Sequence, residues 1–350
     1  MSEPTTKKTG KLNSIGLSKN DYRGKPTTLC AGCGHNSIAN QIVAAAYELD
    51  LMPEDLIKFS GIGCSSKSPT YFLNRSFGFN SLHGRMPSVA TGAIFGDASL
   101  SGLAVSGDGD TSNIGMGQFK HVVRRNLPMV YIIENNGVYG LTKGQFSATA
   151  ERGLELKYQG ENPFAPVDIV MEALTAGATF VARSFAGDSQ QVKELIKAAL
   201  SHDGLAVLDI ISPCVTFNNQ DDARHSYGWN REHQEPLHDF TFVPVEEEIL
   251  VEGDFPEGST HTVTMHDGSK IILKKLERDY DPTDRLEAMR VVEQSHRDEV
   301  LVTGLLFVNT VRPSLFDIYD LPKNTPLNRM TEKELRPERS SLDKVNEMMF

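Results

Sequence analysis

Apolar and polar positions along the first two thirds of the chain predict helices and strands in turn. The segment HNSIANQIVAAAYELD places Ile38, Ile42, Val43 and Ala46 at helical spacing, and the apolar run LIKFS that follows predicts a strand. Further strands are predicted at GLAVSG, MVYIIEN, TFVARS and LAVLDIIS, and further helices at IGMGQFKHVVRRN, VDIVMEALTAGA and SQQVKELIKAALSHDG. This alternation predicts an α/β fold with a doubly wound, mainly parallel sheet that carries helices on both faces.

A change of composition near residue 219 predicts how the chain is divided. We expect residues 1–24 to be an N-terminal tail and residues 25–219 to form the α/β domain. Residues 220–311 are expected to form a small C-terminal extension: a β-hairpin with an Asp-Gly turn in THTVTMHDGSKIILKKL, a helix in TDRLEAMRVVEQSHRDE and a strand in VLVTGLLFV. Residues 312–350 form a charged tail that is too polar to pack alone, so it is either flexible or wrapped on a partner.

Composition and charge exclude several classes of protein. The chain has 350 residues, 39% of them apolar, which is ample for a packed core, and its formal net charge is -11. Nucleic acid is not an expected partner, because phosphate binding needs a basic surface. No stretch approaches the ~18 continuous apolar residues of a membrane span, and the N-terminal segment has no apolar run typical of a signal peptide. We therefore expect a cytoplasmic protein that does not bind membranes.

Two polar turns follow adjacent predicted strands. One strand ends in Gly-Asp-Gly-Asp at residues 107–110, and the next strand ends in Asn-Asn-Gly at residues 135–137. Ligands bind at the carboxyl ends of parallel strands, and Mg²⁺ would take the Asp108 carboxylate, the Asn136 amide oxygen and a turn carbonyl beside a diphosphate. Gly-Asp-Gly alone is also typical of an ordinary turn. The second turn, one helix and one strand later, makes the pair typical of thiamine diphosphate enzymes, and the dinucleotide pattern G-x-G-x-x-G is absent here.

The chain contains four cysteines, and none of them lies inside an apolar run as a structural cysteine usually does. Cys30 and Cys33 form one C-x-x-C pair in TTLCAGCGHNS, while Cys64 and Cys214 are isolated at turns. Disulfides are not expected in a cytoplasmic chain, so a tetrathiolate site for zinc or an iron–sulfur cluster is the natural inference. The spacing favours a cluster, because zinc sites more often pair two C-x-x-C motifs.

Six motifs together resemble the β subunits of the 2-oxoacid:ferredoxin oxidoreductases. They are LCAGCGHNSI, SGIGCSSK, SLHGRMPSVATG, SGDGDTSNIG, ENNGVYGLTKGQ and SPCVTFN, which occur in the family's order between Thr28 and Asn218. GLTKGQFSATA and the overall length look most like the 2-oxoglutarate (2-ketoglutarate) branch. The resemblance implies that residues 25–219 have the thiamine diphosphate-binding fold and hold thiamine diphosphate, Mg²⁺ and one 4Fe–4S cluster.

The resemblance also implies roles for individual residues. Cys30, Cys33, Cys64 and Cys214 match the cluster ligands, and Asp108, Asn136 and the Val138 carbonyl match the magnesium ligands. The residues expected to line the cofactor are Ile62, Gly63, Cys64, Ser65, His83, Gly107, Asp108, Gly109, Asp110, Asn136, Val138, Gly140 and Leu141.

Three of the assigned residues have a plain alternative reading. Lys67 is expected to bind the substrate carboxylate, and Lys143 to face the same cavity or the coenzyme A entrance. Lysines in Gly-rich loops are usually solvated, so both could instead be surface residues. His83 could simply cap the helix that begins near Met86.

The implied reaction is the reversible oxidative decarboxylation of a 2-oxoacid with coenzyme A. With 2-oxoglutarate as the substrate, the products are succinyl-CoA, CO2 and reduced ferredoxin. Only one domain of the alternating type is present in the sequence, so an α subunit is expected to supply the pyrimidine-binding domain and its catalytic glutamate. A separate ferredoxin takes the electrons, and a dimer of αβ units is the expected assembly. Two alternatives stay open: a member specific for pyruvate or another 2-oxoacid, and a zinc-stabilised scaffold without catalytic activity.

Overall fold

The protein is described by a computed structural model that covers residues 11–244, 260–265, 267–275, 280–323 and 325–349. Its strands are β1 Leu56–Ser60, β2 Phe77–Asn80, β3 Ser101–Gly107, β4 Met129–Asn135, β5 Val138–Tyr139, β6 Gln145–Phe146, β7 Glu155–Leu156, β8 Gly160–Glu161, β9 Phe180–Phe185, β10 Leu205–Ile211, β11 Gln234–Pro236, β12 His238–Val243, β13 Thr260–Thr264, β14 Lys270–Lys275 and β15 Leu301–Val308. Its α-helices are α1 Gly34–Glu48, α2 Met86–Gly96, α3 Met116–Arg125, α4 Ile169–Ala176, α5 Ser189–Leu200, α6 Tyr227–His233, α7 Arg285–Arg297, α8 Leu315–Tyr319, α9 Glu332–Leu335 and α10 Arg339–Met349.

An eight-stranded sheet organises the fold, in the order β11-β15-β9-β10-β4-β3-β1-β2. The six strands from β9 to β2 are parallel to one another, whereas β15 pairs antiparallel with β9. The predicted mainly parallel α/β sheet is therefore confirmed. The carboxyl ends of the parallel strands share one edge, so the turns after β1, β3, β4 and β10 lie near one another.

Helices cover both faces of this sheet, as the sequence predicts. Along β4 the side chains alternate: Val130 and Ile132 pack in the cluster with α1 and α5, while Met129, Tyr131 and Ile133 pack in the cluster with α2, α3, α4 and α7. All seven residues of β4 are buried, which is what a parallel strand covered on both faces requires.

The segment expected to form a separate extension contributes to the main sheet. The hairpin of β13 and β14 is present with the Asp-Gly turn, and β12 adds a third strand to it. However, β11 and β15 join the eight-stranded sheet, and α7 packs on its face. The change of composition near residue 219 is therefore not the point where the strands of this sheet end along the chain. A later strand such as β15 can pair antiparallel with the edge of a parallel sheet, and the alternation of the earlier helices and strands does not indicate this.

The first part of the C-terminal segment packs on the core, and the last part is exposed. Leu315 and Phe316 of α8 are buried in the core, whereas every residue of α10 that the structure describes is exposed. Among the described residues, no helix is both long enough and apolar enough to cross a membrane.

Candidate functional site

One cavity of about 100 Å³ lies at the carboxyl edge of the sheet, beyond β1, β3 and β4. The structure brings all thirteen residues that were expected to line the cofactor into the wall of this cavity: Ile62, Gly63, Cys64, Ser65, His83, Gly107, Asp108, Gly109, Asp110, Asn136, Val138, Gly140 and Leu141. They come from four separate stretches of sequence. Their convergence follows from the parallel sheet, because each stretch begins at or just beyond the end of a strand or in the turn that follows β2.

Asp108 lies at the centre of the cavity wall and is almost fully buried. Its carboxylate accepts hydrogen bonds from the backbone of Asn136 (3.3 Å) and Gly137 (3.1 Å), and from the hydroxyls of Thr149 (2.7 Å) and Ser147. Gly137 has a φ of 75°, a conformation that glycine adopts without strain and that lets two successive amides point at one carboxylate. The Gly-Asp-Gly and Asn-Asn turns are thus joined directly through Asp108.

Asp110 contacts a different set of groups. Its carboxylate accepts hydrogen bonds from the Gly84 amide (2.8 Å), the Ile62 amide (3.3 Å) and the Ser106 hydroxyl (2.6 Å), and His83 Nδ1 lies against it. His83 therefore does not cap α2, whose N-cap is Arg85. Asp110 connects three loops of the cavity wall, and protein donors occupy both of its oxygens.

The magnesium ligands expected from the sequence come from two neighbouring turns, Asp108 from the turn after β3 and Asn136 and Val138 from the turn after β4. Asp108, Asn136 and Val138 are all buried in the cavity wall, and the Asn136 side-chain oxygen accepts a hydrogen bond from the Val138 amide (3.0 Å). This hydrogen bond orients the amide so that its oxygen stays near the Val138 backbone. One carboxylate, one amide oxygen and one backbone carbonyl form an oxygen donor set that suits Mg²⁺.

The four cysteines come together beside the same cavity. All four are free; Cys30 is exposed and the other three are half-buried. A Cβ atom placed on Gly140 would lie 3.5 Å from Cys214 Sγ and 3.7 Å from Cys64 Sγ, so these two sulfurs flank the cavity residue Gly140. Burial, with a smaller contribution from the nearby Glu134, Cys214 and Cys64, raises the pKa of the Cys33 thiol to about 12.

The arrangement of the thiols bears on which metal they could hold. Among the residues that the structure describes, no group of three or more His, Cys, Asp or Glu side chains is arranged to hold a single metal ion. Around one zinc ion the four sulfurs would lie about 4 Å from one another, given Zn–S bonds of about 2.3 Å. In a 4Fe–4S cluster each cysteine binds a different iron, so the four sulfurs would be spread more widely.

Sequence reasoning missed a buried acid in the cavity wall. Glu134 is fully buried, accepts hydrogen bonds from Ser68 at 2.9 and 3.1 Å, and lies 3.5 Å from His35 Nδ1. Burial raises the pKa of Glu134 well above its usual value and lowers the pKa of His35 to about 4, so His35 is neutral at pH 7. The signal was present in the sequence: a glutamate closes the otherwise apolar strand MVYIIEN, and charged residues are almost never fully buried without a role.

The two expected catalytic lysines do not line the cavity. Lys143 is exposed in a left-handed conformation with a φ of 76°. Lys67 is half-buried in the short 3₁₀ helix Ser65–Thr70 directly after Cys64, and its charge lowers the pKa of the Cys64 thiol against the raising effect of burial. Lys67 therefore lies near the cysteines, and the roles of both lysines stay predictions.

Comparisons with known proteins fit this geometry. Residues 61–210 match the family described as thiamine pyrophosphate enzyme, C-terminal TPP binding domain. The chain is 43% identical over 191 residues to a 2-oxoacid:ferredoxin oxidoreductase subunit beta from a Sulfolobus species, a match that covers 54% of this chain and 63% of that one. It is 36% identical over 196 residues to the 2-oxoglutarate synthase subunit KorB of Methanocaldococcus jannaschii, which covers 55% of this chain and 71% of that one.

A solved structure extends the similarity beyond the sequence match. The 2-oxoglutarate:ferredoxin oxidoreductase from Magnetococcus marinus, with 2-oxoglutarate, coenzyme A and succinyl-CoA bound, superimposes with a TM-score of 0.71 at 30% identity. The match covers 89% of this chain and 92% of that chain. In sequence, however, the chain spans less than two thirds of the length of the Sulfolobus relative. The cavity, the two turns joined through Asp108 and these similarities show that the chain belongs to the β subunits of the 2-oxoacid:ferredoxin oxidoreductases.

Proposed function

We propose that this chain is the thiamine diphosphate-binding subunit of a cytoplasmic enzyme that oxidatively decarboxylates 2-oxoglutarate with coenzyme A, giving succinyl-CoA, CO2 and reduced ferredoxin, reversibly. The observation that carries the proposal is the convergence of Cys64 and Cys214 on Gly140, in the wall of the cavity that Asp108 and Asn136 also line. An electron acceptor held by these thiols would border the cofactor. Thiamine diphosphate supplies a nucleophilic carbon and an electron sink, and a 4Fe–4S cluster accepts single electrons.

The residues of the cavity fit a magnesium diphosphate. Asp108, Asn136 and the Val138 carbonyl would hold the metal ion, and the 107–110 turn lines the cavity in which the diphosphate would lie. The Tyr139 hydroxyl donates to the Gly109 carbonyl (2.9 Å), which fixes this turn against the Asn-Asn turn. Binding, orientation and the exclusion of water on this side are therefore properties of the chain's own side chains.

The protonation of the cysteines determines how a cluster would be loaded. Burial raises the pKa of Cys33, Cys64 and Cys214, so without metal these thiols keep their protons at neutral pH. Iron would have to displace those protons, because only the thiolate is a ligand. The site is therefore expected to load with release of protons and to be difficult to load at low pH.

The size of the cavity supports a partner subunit. Sites that enclose a cofactor usually measure about 300–1,000 Å³, whereas this cavity measures about 100 Å³. Ile62 and Leu141 in its wall and Leu82 next to His83 are exposed apolar side chains. An α subunit over this opening would cover them, complete the site and supply the glutamate that addresses the pyrimidine ring; a dimer of such αβ units is the assembly we propose.

The choice of 2-oxoglutarate rests on the relatives. The Methanocaldococcus jannaschii relative is named a 2-oxoglutarate synthase subunit, and the Magnetococcus marinus structure holds 2-oxoglutarate, coenzyme A and succinyl-CoA. For this chain we propose that Lys67 reaches the substrate carboxylate once the α subunit is bound, and that Lys143 faces the coenzyme A entrance.

The decisive experiment begins with iron, acid-labile sulfide and zinc on the anaerobically purified chain. About four iron and four sulfide per chain are expected; about one zinc without sulfide would replace this proposal by a zinc-stabilised scaffold. The complex reconstituted with the α subunit is then assayed for ferredoxin reduction with 2-oxoglutarate and with pyruvate. A strong preference for pyruvate would retain the reaction class but show that 2-oxoglutarate is the wrong substrate. Turnover by the chain without the α subunit would show that the active site is not shared between two subunits.

A further inference from the structure

Lys58 is a buried lysine in the middle of β1, with only 7% of its surface exposed. Its neighbours across the sheet are Gly78 of β2 and Leu103 of β3, and its side chain passes the position where Gly78 has no Cβ. Among the described residues it forms no ion pair with a carboxylate, although a buried charge normally needs one. Something other than an acid must therefore compensate the ammonium group.

The compensation comes from backbone carbonyls. The Lys58 ammonium donates hydrogen bonds of 2.8 Å to each of the carbonyls of Pro69, Phe72 and Leu73, which uses all three of its N–H groups. It also lies 5.5 Å from the centre of the Phe72 ring, a favourable cation–π distance. Leu73 is fully buried and has a φ of 47°, so the chain is held there in a left-handed conformation that leucine rarely adopts.

The other two carbonyls of the same segment accept hydrogen bonds from residues 24–25, near the N-terminus. The Lys25 amide donates to the Thr70 carbonyl (2.9 Å), and the Gly24 amide donates to the Tyr71 carbonyl (2.8 Å). Every carbonyl from residue 69 to residue 73 is therefore bound, three by Lys58 from inside the sheet and two by residues 24–25 from outside. Residues 69–70 end the 3₁₀ helix Ser65–Thr70, and residues 71–73 lie outside any helix or strand. Two further hydrogen bonds fix this stretch, from the Tyr71 amide to the Ser68 carbonyl (2.8 Å) and from the Leu73 amide to the Tyr22 carbonyl (2.7 Å).

The 69–73 segment connects the two halves of the cysteine site. It continues the 3₁₀ helix Ser65–Thr70, which begins directly after Cys64. Residues 24–25, which are bound to it, lead within a few residues to Cys30 and Cys33. A shift of the segment would move the Cys64 turn and the Cys30–Cys33 turn relative to each other.

We propose that Lys58 is a positioning residue for the metal site: by fixing the 69–73 segment, it sets the placement of Cys64 relative to Cys30 and Cys33. The proposal rests on the proposed function in that these thiols hold a cluster. Lys58 lies in the strand before Cys64, and all three hydrogen bonds of its ammonium group go to backbone carbonyls, so it does not bind the cluster itself. A lysine that only stabilised the fold would not need to hold this segment in particular.

The test compares the full chain with Lys58→Met, Lys58→Arg and, as control, Lys120→Met. Methionine keeps the length of the side chain and removes all donors, whereas arginine retains charge and donors. Lys120 is a half-exposed lysine of α3 that pairs with Glu172 and hydrogen-bonds Thr175, away from the cysteines. Hydrogen exchange is measured on the metal-free chain, and iron, sulfide and the electron paramagnetic resonance of the reduced cluster are measured after reconstitution.

Lys58→Met is expected to speed exchange by about tenfold or more in residues 22–25 and 64–73, because buried carbonyls lose a charged donor, with less than about a twofold change in β9 and β10. Iron and sulfide should fall several-fold or the resonance should change, Lys58→Arg should restore part of both, and Lys120→Met should match the wild type. Unchanged exchange, a uniform rise across the chain, or a wild-type cluster in Lys58→Met would overturn the proposal. If the wild-type chain contains no iron and sulfide, the proposed function is wrong. Hydrogen exchange in residues 22–25 and 64–73 of Lys58→Met would still show whether Lys58 fixes the 69–73 segment.

Discussion

Replacing Asp110 and Asp108 separately by asparagine distinguishes a carboxylate that holds the cavity wall from one that binds the ligand. In Asp110→Asn, the side-chain oxygen keeps the amides of Gly84 and Ile62 as donors, and the Ser106 hydroxyl can turn round to accept from the new amide group. The number of hydrogen bonds is retained, but three of them change from charge-assisted to neutral. Charge-assisted bonds contribute about 1 kcal/mol more than neutral ones, and coupling between neighbouring bonds reduces the sum, so we expect a loss of about 2 kcal/mol of unfolding free energy.

Asp110→Ala gives a larger loss at the same position. Two backbone amides and one hydroxyl would lose their acceptor in the wall of the cavity, at about 1–3 kcal/mol each, so a total near 4 kcal/mol is expected. The ordering of the two variants tests the hydrogen-bond geometry without any ligand. Urea unfolding of the purified chain measures both differences.

Ligand addition then separates Asp110 from Asp108. At about 100 times its dissociation constant, magnesium thiamine diphosphate should raise the unfolding free energy of the complex with the α subunit by about 2.7 kcal/mol. Asp110→Asn should show nearly the same gain, whereas Asp108→Asn, which loses the charge of the proposed metal ligand, should show almost none. The reasoning would be refuted if Asp110→Asn abolished the gain while the stability of the ligand-free protein stayed unchanged, since that result would make Asp110 a direct ligand.

Three further predictions concern single side chains. Burial lowers the pKa of His238 to about 4, so the unfolded chain takes up this proton near pH 6.5 and the folded chain does not. His238 alone should lower the unfolding free energy by about 2 kcal/mol between pH 7 and pH 5, and urea unfolding of His238→Gln should show a fall that is smaller by this amount. Thr149→Val removes the hydroxyl that donates to Asp108, and titration of the αβ complex should show about tenfold weaker magnesium thiamine diphosphate binding; unchanged binding would mean that Asp108 needs no such support. Lys67→Ala should raise the apparent KM for 2-oxoglutarate at least tenfold without changing the iron content, with exposed Lys157→Ala as control; parallel loss of both would make Lys67 structural.

The sheet and the wall of the cavity could be predicted from the sequence because both follow from local patterns. The strand MVYIIEN is apolar up to Glu134 and Asn135 at its end, as is typical of parallel strands covered on both faces, and its predicted bounds coincide with β4. Once the strands are parallel, the turns that follow them must meet at one edge. The residues expected to line the cofactor therefore came together, although they lie far apart in sequence.

The parts that could not be predicted depend on contacts between distant segments. Lys58 lies in the middle of an apolar strand, and nothing in LIKFS indicates that its ammonium would meet three carbonyls about a dozen residues later. The same holds for β15, which joins the sheet edge beside β9 from residues 301–308 and has an ordinary apolar sequence. Pattern and spacing identify an element, but only the folded chain shows which edge it joins.

Neighbouring side chains at the end of β4 line two different cavities. Side chains alternate along β4, so Glu134 and Asn136 face the cofactor cavity while Asn135 faces a second cavity of about 330 Å³ on the other side. The Asn135 amide donates to Asp209 (2.9 Å), which also binds Arg183, and its oxygen lies 2.9 Å from the Thr149 hydroxyl.

The Thr149 hydroxyl lies between Asn135 and Asp108, so the buried ion pair of Arg183 and Asp209 is linked to the proposed metal ligand through two hydrogen-bonded side chains. The first asparagine of the pair therefore holds the turn and the second is free to bind. The two asparagines therefore have different contacts, and only Asn136 lines the cofactor cavity. The link through Thr149 explains why Thr149→Val should weaken ligand binding without removing any group that touches the ligand.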